Sequence, residues 1–452
     1  MIEIIRGENW VLSLYPPESE NPTYKLSDYA IIEKCDDGYL LLHTLTWSLF
    51  LLSQEELDNV LHFDYLKKYN IVLDDTIDEL KLAEEVYLKR SEFPVTHNYE
   101  HLGGYVIFTT NNCNAQCFYC YEKDKLPPIG MTLKTAEDVV QFILRTHKRN
   151  FNIQWFGGEP LLNQKVINHI TNRLNEENVE YTTTMISNSL LFNEEAVEKA
   201  KNQWHLKKVQ ITIDGFGETY NKIKNYKNNA STAFDTLINN IDNILANTDI
   251  YITVRVNVSE DNADDVENLI VFLKNRFKEF LNAKKININL APIFQLQCDD
   301  TEIDGPVYQK IKELRDVYNI HQQKMFLDHK RLHHCMADAG NTVTINPLGY
   351  LAPCEHWYDE HIIGHINSGV TNTEVIEKWR KKGGENIKYC IETKCKYFPL
   401  CEHYNMCEAI PVCNNETRRK HIDKNYRELL NFTYEEYLRR VKNIKETNNG
   451  EE

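Results

Sequence analysis

From Tyr105 to about Phe294 the chain alternates between short apolar stretches and longer amphipathic ones, and this alternation strongly restricts the possible folds. The apolar stretches have the length of buried strands, and the stretches between them have the length of helices. The pattern predicts strands at 105–109, 152–156, 181–187, 208–213, 251–258 and 286–293, with helices at 133–147, 161–175, 194–203, 232–246 and 263–280. Repeated strand–helix units form a parallel sheet through right-handed crossovers. Six units are too few for a closed eight-stranded barrel, so we predict an α/β fold with an open, partial (β/α)6 TIM barrel rather than a flat doubly wound sheet.

Polar residues and glycines stand where these predicted strands end, at the edge where parallel sheets bind ligands. They are Gly157, Gly158, Glu159 and Pro160 after the second strand, Ser187, Asn188 and Ser189 after the third, Thr212, Asp214 and Gly215 after the fourth, and Arg255 and Asn257 in the fifth. A glycine pair lets the backbone approach a ligand closely, although Gly-Gly before a helix is more often a simple turn. Glu159 is placed to receive an ammonium group.

Three cysteines follow the first predicted strand within eight residues: Cys113, Cys117 and Cys120. Three thiolates suffice to hold three irons of a four-iron cluster and to leave the fourth iron open. An open iron can bind a substrate or a cofactor, which a fully ligated electron-carrying cluster cannot do. The loop is therefore a candidate catalytic metal site.

Seven more cysteines lie between residues 335 and 413, in a stretch that also contains Gly and Pro: Cys335, Cys354, Cys390, Cys395, Cys401, Cys407 and Cys413. A disulfide framework does not suit a chain of 452 residues without a signal peptide. Seven thiols fit one closed four-iron cluster and a second cluster with three cysteines. They also fit one closed cluster and a zinc site completed by a nearby histidine, and spacing alone leaves both alternatives open.

Charge and hydropathy exclude two classes of function. The net charge of −16 argues against broad nucleic-acid binding, which needs a basic surface. No apolar stretch reaches the roughly 18 residues that cross a bilayer, so we expect no membrane association. The start of the chain lacks an apolar signal core, and we expect a cytoplasmic protein.

Residues 1–100 precede the first cysteine cluster and predict a small α+β unit. Residues 39–42 and 48–52 read as short strands, and a helix begins after Ser53, with Glu56 in the capping-box position. A further helix is predicted from about Thr76 to Lys89. The unit is either a packing extension of the main domain or a module that adds a partner peptide to a strand edge.

The motif Cys113-x3-Cys117-x2-Cys120, joined to Gly157-Gly158-Glu159-Pro160 at the next strand end, resembles the radical S-adenosylmethionine (SAM) enzymes. The distal cysteines resemble the SPASM domain that one subgroup carries at its C-terminal end. The pattern here is Cys335, then Gly349-x4-Cys354, then Cys390-x4-Cys395-x5-Cys401-x5-Cys407, then Cys413. The resemblance covers about residues 101–420. The spacings x4 and x5 depart from the x2 and x3 usual in the family, which leaves the local loop geometry open.

The resemblance implies a role for each of these residues. Cys113, Cys117 and Cys120 would hold the cluster that binds SAM, Gly157, Gly158 and Glu159 would meet its amino group, and Tyr119 would lie near adenine. Ser187, Thr212 and Asp214 are candidates for ribose or methionyl contacts. Two auxiliary clusters would bring the total to three [4Fe-4S] clusters, the closed one held by Cys390, Cys395, Cys401 and Cys413 and the other by Cys335, Cys354 and Cys407. Glu355 is a candidate general base, or otherwise a solvated loop residue.

The resemblance also implies a function. It predicts a maturase that cross-links a ribosomally made precursor peptide, through a thioether or a carbon–carbon bond, with a flavodoxin- or ferredoxin-type electron donor. Residues 1–100 would form a winged-helix-like domain that binds the leader of the precursor, residues 101–300 the barrel and residues 301–452 the SPASM domain. Two alternatives are a sulfatase-maturase-like dehydrogenase acting on Cys or Ser, and a zinc-binding interaction protein.

Overall fold

The computed structural model describes residues 1–92, 99–123, 127–228, 230–293, 306–320, 336–355, 359–376 and 388–398, together with single positions between 420 and 441. The chain divides into two compact units. The first contains Met1–Val95, Gln323–His334 and Lys378–Glu452. The second contains Thr96–Gln322 and Cys335–Glu377.

The first unit is built on a four-stranded antiparallel sheet. Its elements are β1 (Ile2–Ile5), α1 (Asn9–Leu12), β2 (Tyr24–Leu26), β3 (Ala30–Cys35), β4 (Gly38–His43), β5 (Ser48–Leu52), α2 (Gln54–Asp58), α3 (Asp64–Lys68), β6 (Val72–Asp74) and α4 (Glu79–Glu92). The strand order is β1-β5-β4-β3, and β2 pairs separately with β6. The two predicted strands and the helix after Ser53 are confirmed.

The start of α2 shows why the sequence places it there. The hydroxyl of Ser53 accepts from the Glu56 backbone N–H at 3.2 Å, and the Glu56 carboxylate accepts from the Ser53 backbone N–H at 2.8 Å. This is the predicted capping box, which satisfies two otherwise unpaired N–H groups.

The core of the first unit joins distant parts of the chain. Leu40, Leu42 and Leu49 of the sheet share one apolar cluster with Tyr397 and Phe398. The hydroxyl of Thr44 donates to the backbone carbonyl of Lys396 at 2.6 Å. The N-terminal sheet and the described residues near 397 therefore stabilise each other.

The second unit contains a ten-stranded sheet of order β12-β11-β10-β9-β8-β7-β13-β14-β15-β16. Its strands are β7 (Leu102–Thr110), β8 (His147–Gly157), β9 (Tyr181–Ser187), β10 (Leu206–Thr212), β11 (Tyr251–Val258), β12 (Ile286–Pro292), β13 (Thr342–Ile345), β14 (Tyr350–Ala352), β15 (Gly364–His365) and β16 (Gly369–Val370). Strands β7 to β12 are parallel, as predicted. The sheet is consistent with a partial barrel.

Helices connect these strands. They are α5 (Leu133–Thr146), α6 (Gln164–Glu176), α7 (Glu194–Asn202), α8 (Glu218–Lys224), α9 (Ala233–Asn247), α10 (Ala263–Arg276), α11 (Lys278–Asn282), α12 (Pro306–Val317) and α13 (Met336–Ala339). The helix predicted over 263–280 is interrupted at Phe277, which leaves the helical region with φ −108° and ψ 23°. The sequence also predicts helical structure over residues 306–330; α12 forms at its start, and residues 321–330 lie outside the described residues.

The two faces of the parallel sheet differ in chemistry because side chains alternate along a strand. One face is apolar, with Ile107 and Trp155 among its side chains, and it packs on helices such as α5, whose Val139 and Ile143 belong to the same core. The other, which we call the inner face, carries the register partners Val106, Gln154 and Thr184, and next to them Ile186, Gln210, Thr253 and Asn287. Polar groups on a sheet face suit a ligand site rather than a core.

Four short strands, β13 to β16, extend the sheet beyond β7. Strand β13 pairs parallel to β7, with Thr344 opposite Val106. The sequence pattern predicts no strand there. Across the described residues, no helix has the length and apolar character needed to cross a bilayer.

Candidate functional site

The two glycines at the end of β8 allow the cysteine loop to lie directly against this strand. Gly157 has φ +129°, and a Cβ there would lie 2.2 Å from the carbonyl oxygen of Thr110. A Cβ on Gly158 would lie 2.3 Å from the carbonyl oxygen of Asn112. The backbone N–H groups of Gly158 and Glu159 donate to these carbonyls, at 3.0 Å to Thr110 and 2.8 Å to Asn112. The glycine pair thus fixes the chain just before Cys113.

Glu159 joins the ends of β8 and β9. Its side chain is fully buried, and burial raises the pKa of the carboxyl to about 7. One carboxylate oxygen accepts from the Ser187 hydroxyl at 2.9 Å, and the other accepts from the Asn188 backbone N–H at 2.8 Å. The structure therefore brings together two predicted site residues, Glu159 and Ser187, while their contact with a cofactor stays a prediction.

A buried ion pair ties the cysteine loop to the end of β10. The ammonium of Lys224 lies 2.7 Å from the carboxylate of Asp214, and their side chains are 3% and 1% exposed. The hydroxyl of Tyr119, between the second and third cysteines of the loop, donates to the same carboxylate. Lys224 donates to that hydroxyl at 3.0 Å. Burial alone would lower the pKa of Lys224, but the charge of Asp214 and of neighbouring groups outweighs it and raises that pKa.

The segment at the end of α8 also holds the backbone of the loop. The carbonyl of Lys224 accepts from the Gln116 backbone N–H at 2.8 Å. The Lys227 backbone N–H donates to the carbonyl of Asn114 at 3.0 Å, and its ammonium donates to the carbonyl of Cys113 at 2.9 Å. The sequence predictions missed Lys224 and Lys227, and no motif marks them.

Thr212 and Asp214 lie at the same edge of the sheet. Thr212 is opposite Arg255 in the register of β10 and β11. Asp214 accepts from the backbone N–H of Asn257 at 2.9 Å, and Arg255 donates to the side chain of Asn257 at 3.1 Å. The polar residues at the ends of the fourth and fifth strands therefore lie next to one another, while their contact with a cofactor stays a prediction.

The three thiols of the loop are free and partly buried. Burial, with a smaller effect of the Glu159 charge, raises the pKa of Cys113 to about 12, and burial raises the pKa of Cys120. The Cys113 sulfur accepts from the Ala115 backbone N–H at 3.4 Å. Such thiols lose their protons when a metal centre supplies positive charge.

No group of three or more His, Cys, Asp or Glu side chains in the described part of the chain converges on a single ion. A four-iron cluster does not require its ligands to converge on one ion, because each cysteine binds a different iron. The donor set of the loop therefore fits such a cluster. On the inner face, Thr253 Oγ1 and Asn287 Oδ1 are buried without a hydrogen-bond partner, which suits a polar ligand there.

Cys354 and Glu355 follow β14 in the second unit, and both are half-buried. Burial raises the pKa of Tyr121, just after the cysteine loop, and negative charge on Glu122, Glu355, Cys120 and Cys354 raises it further. The two residues thus lie near the end of the loop, and the role of Glu355 as a base stays a prediction.

The proposed auxiliary clusters involve residues beyond the described ranges. Cys335, Cys401, Cys407 and Cys413 lie outside them. Cys390 and Cys395 belong to the first unit and pack beside its core. The assignment of the distal cysteines to two clusters stays a prediction.

The profile of the Radical SAM superfamily matches residues 107–273, which span the cysteine loop and the strand ends described above. The chain carries a radical SAM domain. It is accordingly an enzyme. The alternative of a zinc-binding interaction protein treated the cysteine loop as a zinc site, but this loop lies inside the radical SAM domain. SAM and a four-iron cluster are the cofactors that this domain implies, and the three thiols fit them.

Comparisons with individual proteins extend beyond this domain. The chain is 22% identical over 483 residues to the radical SAM cyclopropyl synthase TigE of Paramaledivibacter caminithermalis, which covers 93% of this chain and 96% of TigE. It is 26% identical over 298 residues to the uncharacterized protein MJ0907 of Methanocaldococcus jannaschii, covering 64% of this chain and 96% of MJ0907. The solved structure of native anSMEcpe with bound AdoMet covers 75% of this chain and 100% of its own, with 14% identity and a TM-score of 0.52. This last likeness supports the fold.

Proposed function

We propose that this radical SAM enzyme matures a ribosomally made precursor peptide by installing a thioether or carbon–carbon cross-link. The observation that carries the proposal is the alignment with TigE, which extends over 93% of the chain and so includes the segments on either side of the radical SAM domain. The name of TigE describes a cyclopropyl synthase. A structure of anSMEcpe with bound AdoMet and the Cp18Cys peptide, with a TM-score of 0.50, supports a peptide as the substrate class.

In this proposal the residues of the loop and the strand ends have separate tasks. Cys113, Cys117 and Cys120 hold the cluster, and Gly157, Gly158 and Glu159 fix the loop against β8 and meet the amino group of SAM. Ser187, Thr212 and Asp214 contact its ribose or methionyl part, and Tyr119 lies near adenine. When bound, the two cofactors supply a 5′-deoxyadenosyl radical that takes a hydrogen atom from the substrate.

The remaining parts of the chain would serve the peptide. Residues 1–100 would bind the leader on a strand edge, as a winged-helix-like domain. Residues 301–452 would form the SPASM domain with two auxiliary clusters, and Glu355 would act as a base. An observation that would contradict the leader role is unchanged hydrogen exchange in β1 to β5 when the precursor is added.

Co-expression of the chain with a neighbouring precursor peptide tests the proposal. Mass spectrometry should show a loss of two hydrogen atoms for each cross-link, and fragmentation should locate the bond. A Cys113→Ala variant provides the matched control and should leave the peptide unmodified. A peptide that keeps its mass with an active enzyme would contradict the proposal.

A second candidate is a dehydrogenase that oxidises a Cys or Ser of a protein, in the manner of a sulfatase maturase. The fold likeness to anSMEcpe, which covers the whole of that chain, favours it. The same mass spectrometry separates the two: oxidation of a Cys or Ser leaves a carbonyl that reacts with hydrazines, whereas a cross-link does not.

A further inference from the structure

An open cavity of about 660 Å³ lies beside the cysteine loop in the second unit. Cys113 lines it, together with residues at the end of β7 and at the beginnings of α5 and α6. An occupant of this cavity therefore touches a residue assigned to the cluster. The proposed function leaves the cavity without a role.

The cavity is positively charged on an otherwise acidic chain. None of its thirteen described lining residues is acidic, whereas the whole chain has 67 acidic and 51 basic residues. Lys165 and Lys227 line it, and the N-terminal ends of α5 and α6 add positive partial charge. The surface thus attracts an anionic partner.

The cavity also has an apolar rim. Leu133 and Leu162 both line it, and they are 47% and 45% exposed. Two exposed leucines at the rim of one cavity offer apolar contact to the surface of another protein. A small anion would gain little from two leucines, so this combination favours a protein partner.

We propose that this cavity docks a small acidic electron-carrier protein. The inference rests on the proposed function, because the first reductive cleavage of SAM takes up one electron from outside the chain, although formation of the cross-link then releases one electron from the substrate. In the docked complex one electron would pass from the reduced carrier to the four-iron cluster that Cys113, Cys117 and Cys120 would hold. No proton or other group is transferred in this step.

Reversing the charge of Lys165 tests the proposal, because this side chain is exposed and is not one of the residues that hold the cysteine loop in place. Recombinant flavodoxin serves as the acidic probe, and calorimetry measures its affinity for the reconstituted enzyme. Lys165→Glu should weaken binding by about tenfold at low ionic strength, and the effect should shrink as salt is added. Leu162→Gln should weaken it too, with little dependence on salt.

Lys207→Glu is the matched control, since it makes the same charge change at an exposed position near the start of β10. It should leave the flavodoxin affinity unchanged. With dithionite as the reductant, all three variants should form 5′-deoxyadenosine at the wild-type rate, because a small reductant needs no docking surface.

Two results would overturn the proposal. One is an unchanged flavodoxin affinity in both Lys165→Glu and Leu162→Gln. The other is a higher KM of the Lys165→Glu variant for the precursor peptide when dithionite is the reductant. That result would assign the cavity to binding an acidic part of the substrate. Failure of the wild-type enzyme to form 5′-deoxyadenosine with dithionite would instead contradict the proposed function, while the binding measurement would still decide the docking.

Discussion

Lys224 and Asp214 form an ion pair that is almost wholly removed from solvent and that also holds the hydroxyl of Tyr119. Removing one charge of such a pair leaves the other buried without a partner, which costs about 3–5 kcal/mol. We therefore expect Lys224→Met to destabilise the second unit by about that amount. Urea unfolding, followed by the fluorescence of the buried Trp155 and Trp204, measures the effect.

The control for this prediction is the pair between Lys285 and Asp249, whose side chains are 39% and 99% exposed. Lys285→Met should change the free energy of unfolding by less than about 1 kcal/mol, because solvent screens an exposed pair. The double variant Lys224→Met/Asp214→Asn should be more stable than the sum of the single changes predicts. Strict additivity would contradict a direct interaction.

At Gly158 the end of β8 lies directly against the carbonyl oxygen of Asn112, just before the cysteine loop. A Cβ there would lie 2.3 Å from a backbone oxygen that cannot rotate away. Gly158→Ala should therefore cost about 1–3 kcal/mol and displace the loop, with a lower iron content after reconstitution. Gly103→Ala is the matched control, because its nearest neighbour is 3.8 Å away. Equal iron contents in the two variants would refute the role of the close approach.

At the scale of elements, His43 in β4 makes the stability of the first unit dependent on pH. Its side chain is fully buried, bonded to Ser27 at 2.9 Å and Thr46 at 2.7 Å, and burial lowers its pKa from 6.5 to about 3. Between these values the unfolded chain binds a proton that the folded chain does not, so the stabilisation is present above pH 6.5 and is lost as pH falls toward 3. From pH 7 to pH 5 the loss amounts to about 2 kcal/mol.

Hydrogen exchange of peptides that cover β4 and β5, corrected for the intrinsic rate, measures this loss. His43→Gln keeps a neutral hydrogen-bonding side chain and removes the titration. Its protection should therefore change less between pH 7 and pH 5 than that of the wild type. The same slope in both proteins would assign the pH dependence to other groups.

The elements also show how far the sequence determines the fold. Apolar runs such as Val106-Ile107-Phe108 mark the parallel strands, because a strand that is buried on both faces needs apolar side chains at successive positions. Strand β13 has only four residues and no following helix, and its pairing with β7 joins positions more than 230 residues apart in the chain. Nothing local in the sequence indicates such a pairing.

The same distinction applies to the candidate site. The types and spacing of Cys113, Cys117 and Cys120 predict the metal site, since this set of thiols suits little else. Lys224 is the last residue of a short helix, and the sequence alone suggests that its side chain is exposed to solvent. Only the structure shows that it is buried against Asp214. The sequence predicts that the glycine pair contacts a ligand. The structure shows a second reason for two glycines at this position, because the backbone before the cysteine loop lies directly against them.

At the scale of the whole molecule, the chain combines a radical SAM domain with a first unit in which the N-terminal sheet shares its core with Tyr397 and Phe398. Cys395 lies two residues before this pair and packs beside the same core. If Cys390 and Cys395 hold a metal cluster, as proposed, its loss should destabilise the N-terminal sheet as well.

In the proposed function, the loop from Cys113 to Cys120 holds the cluster at which SAM is cleaved. The most direct test is the formation of 5′-deoxyadenosine by the anaerobically reconstituted enzyme with SAM and dithionite. The wild type should form it and should contain about eleven to twelve irons if three four-iron clusters assemble. The triple variant Cys113→Ala/Cys117→Ala/Cys120→Ala should form none and should contain about four fewer irons. Continued formation of 5′-deoxyadenosine by the triple variant would show that this loop does not hold the cluster that cleaves SAM.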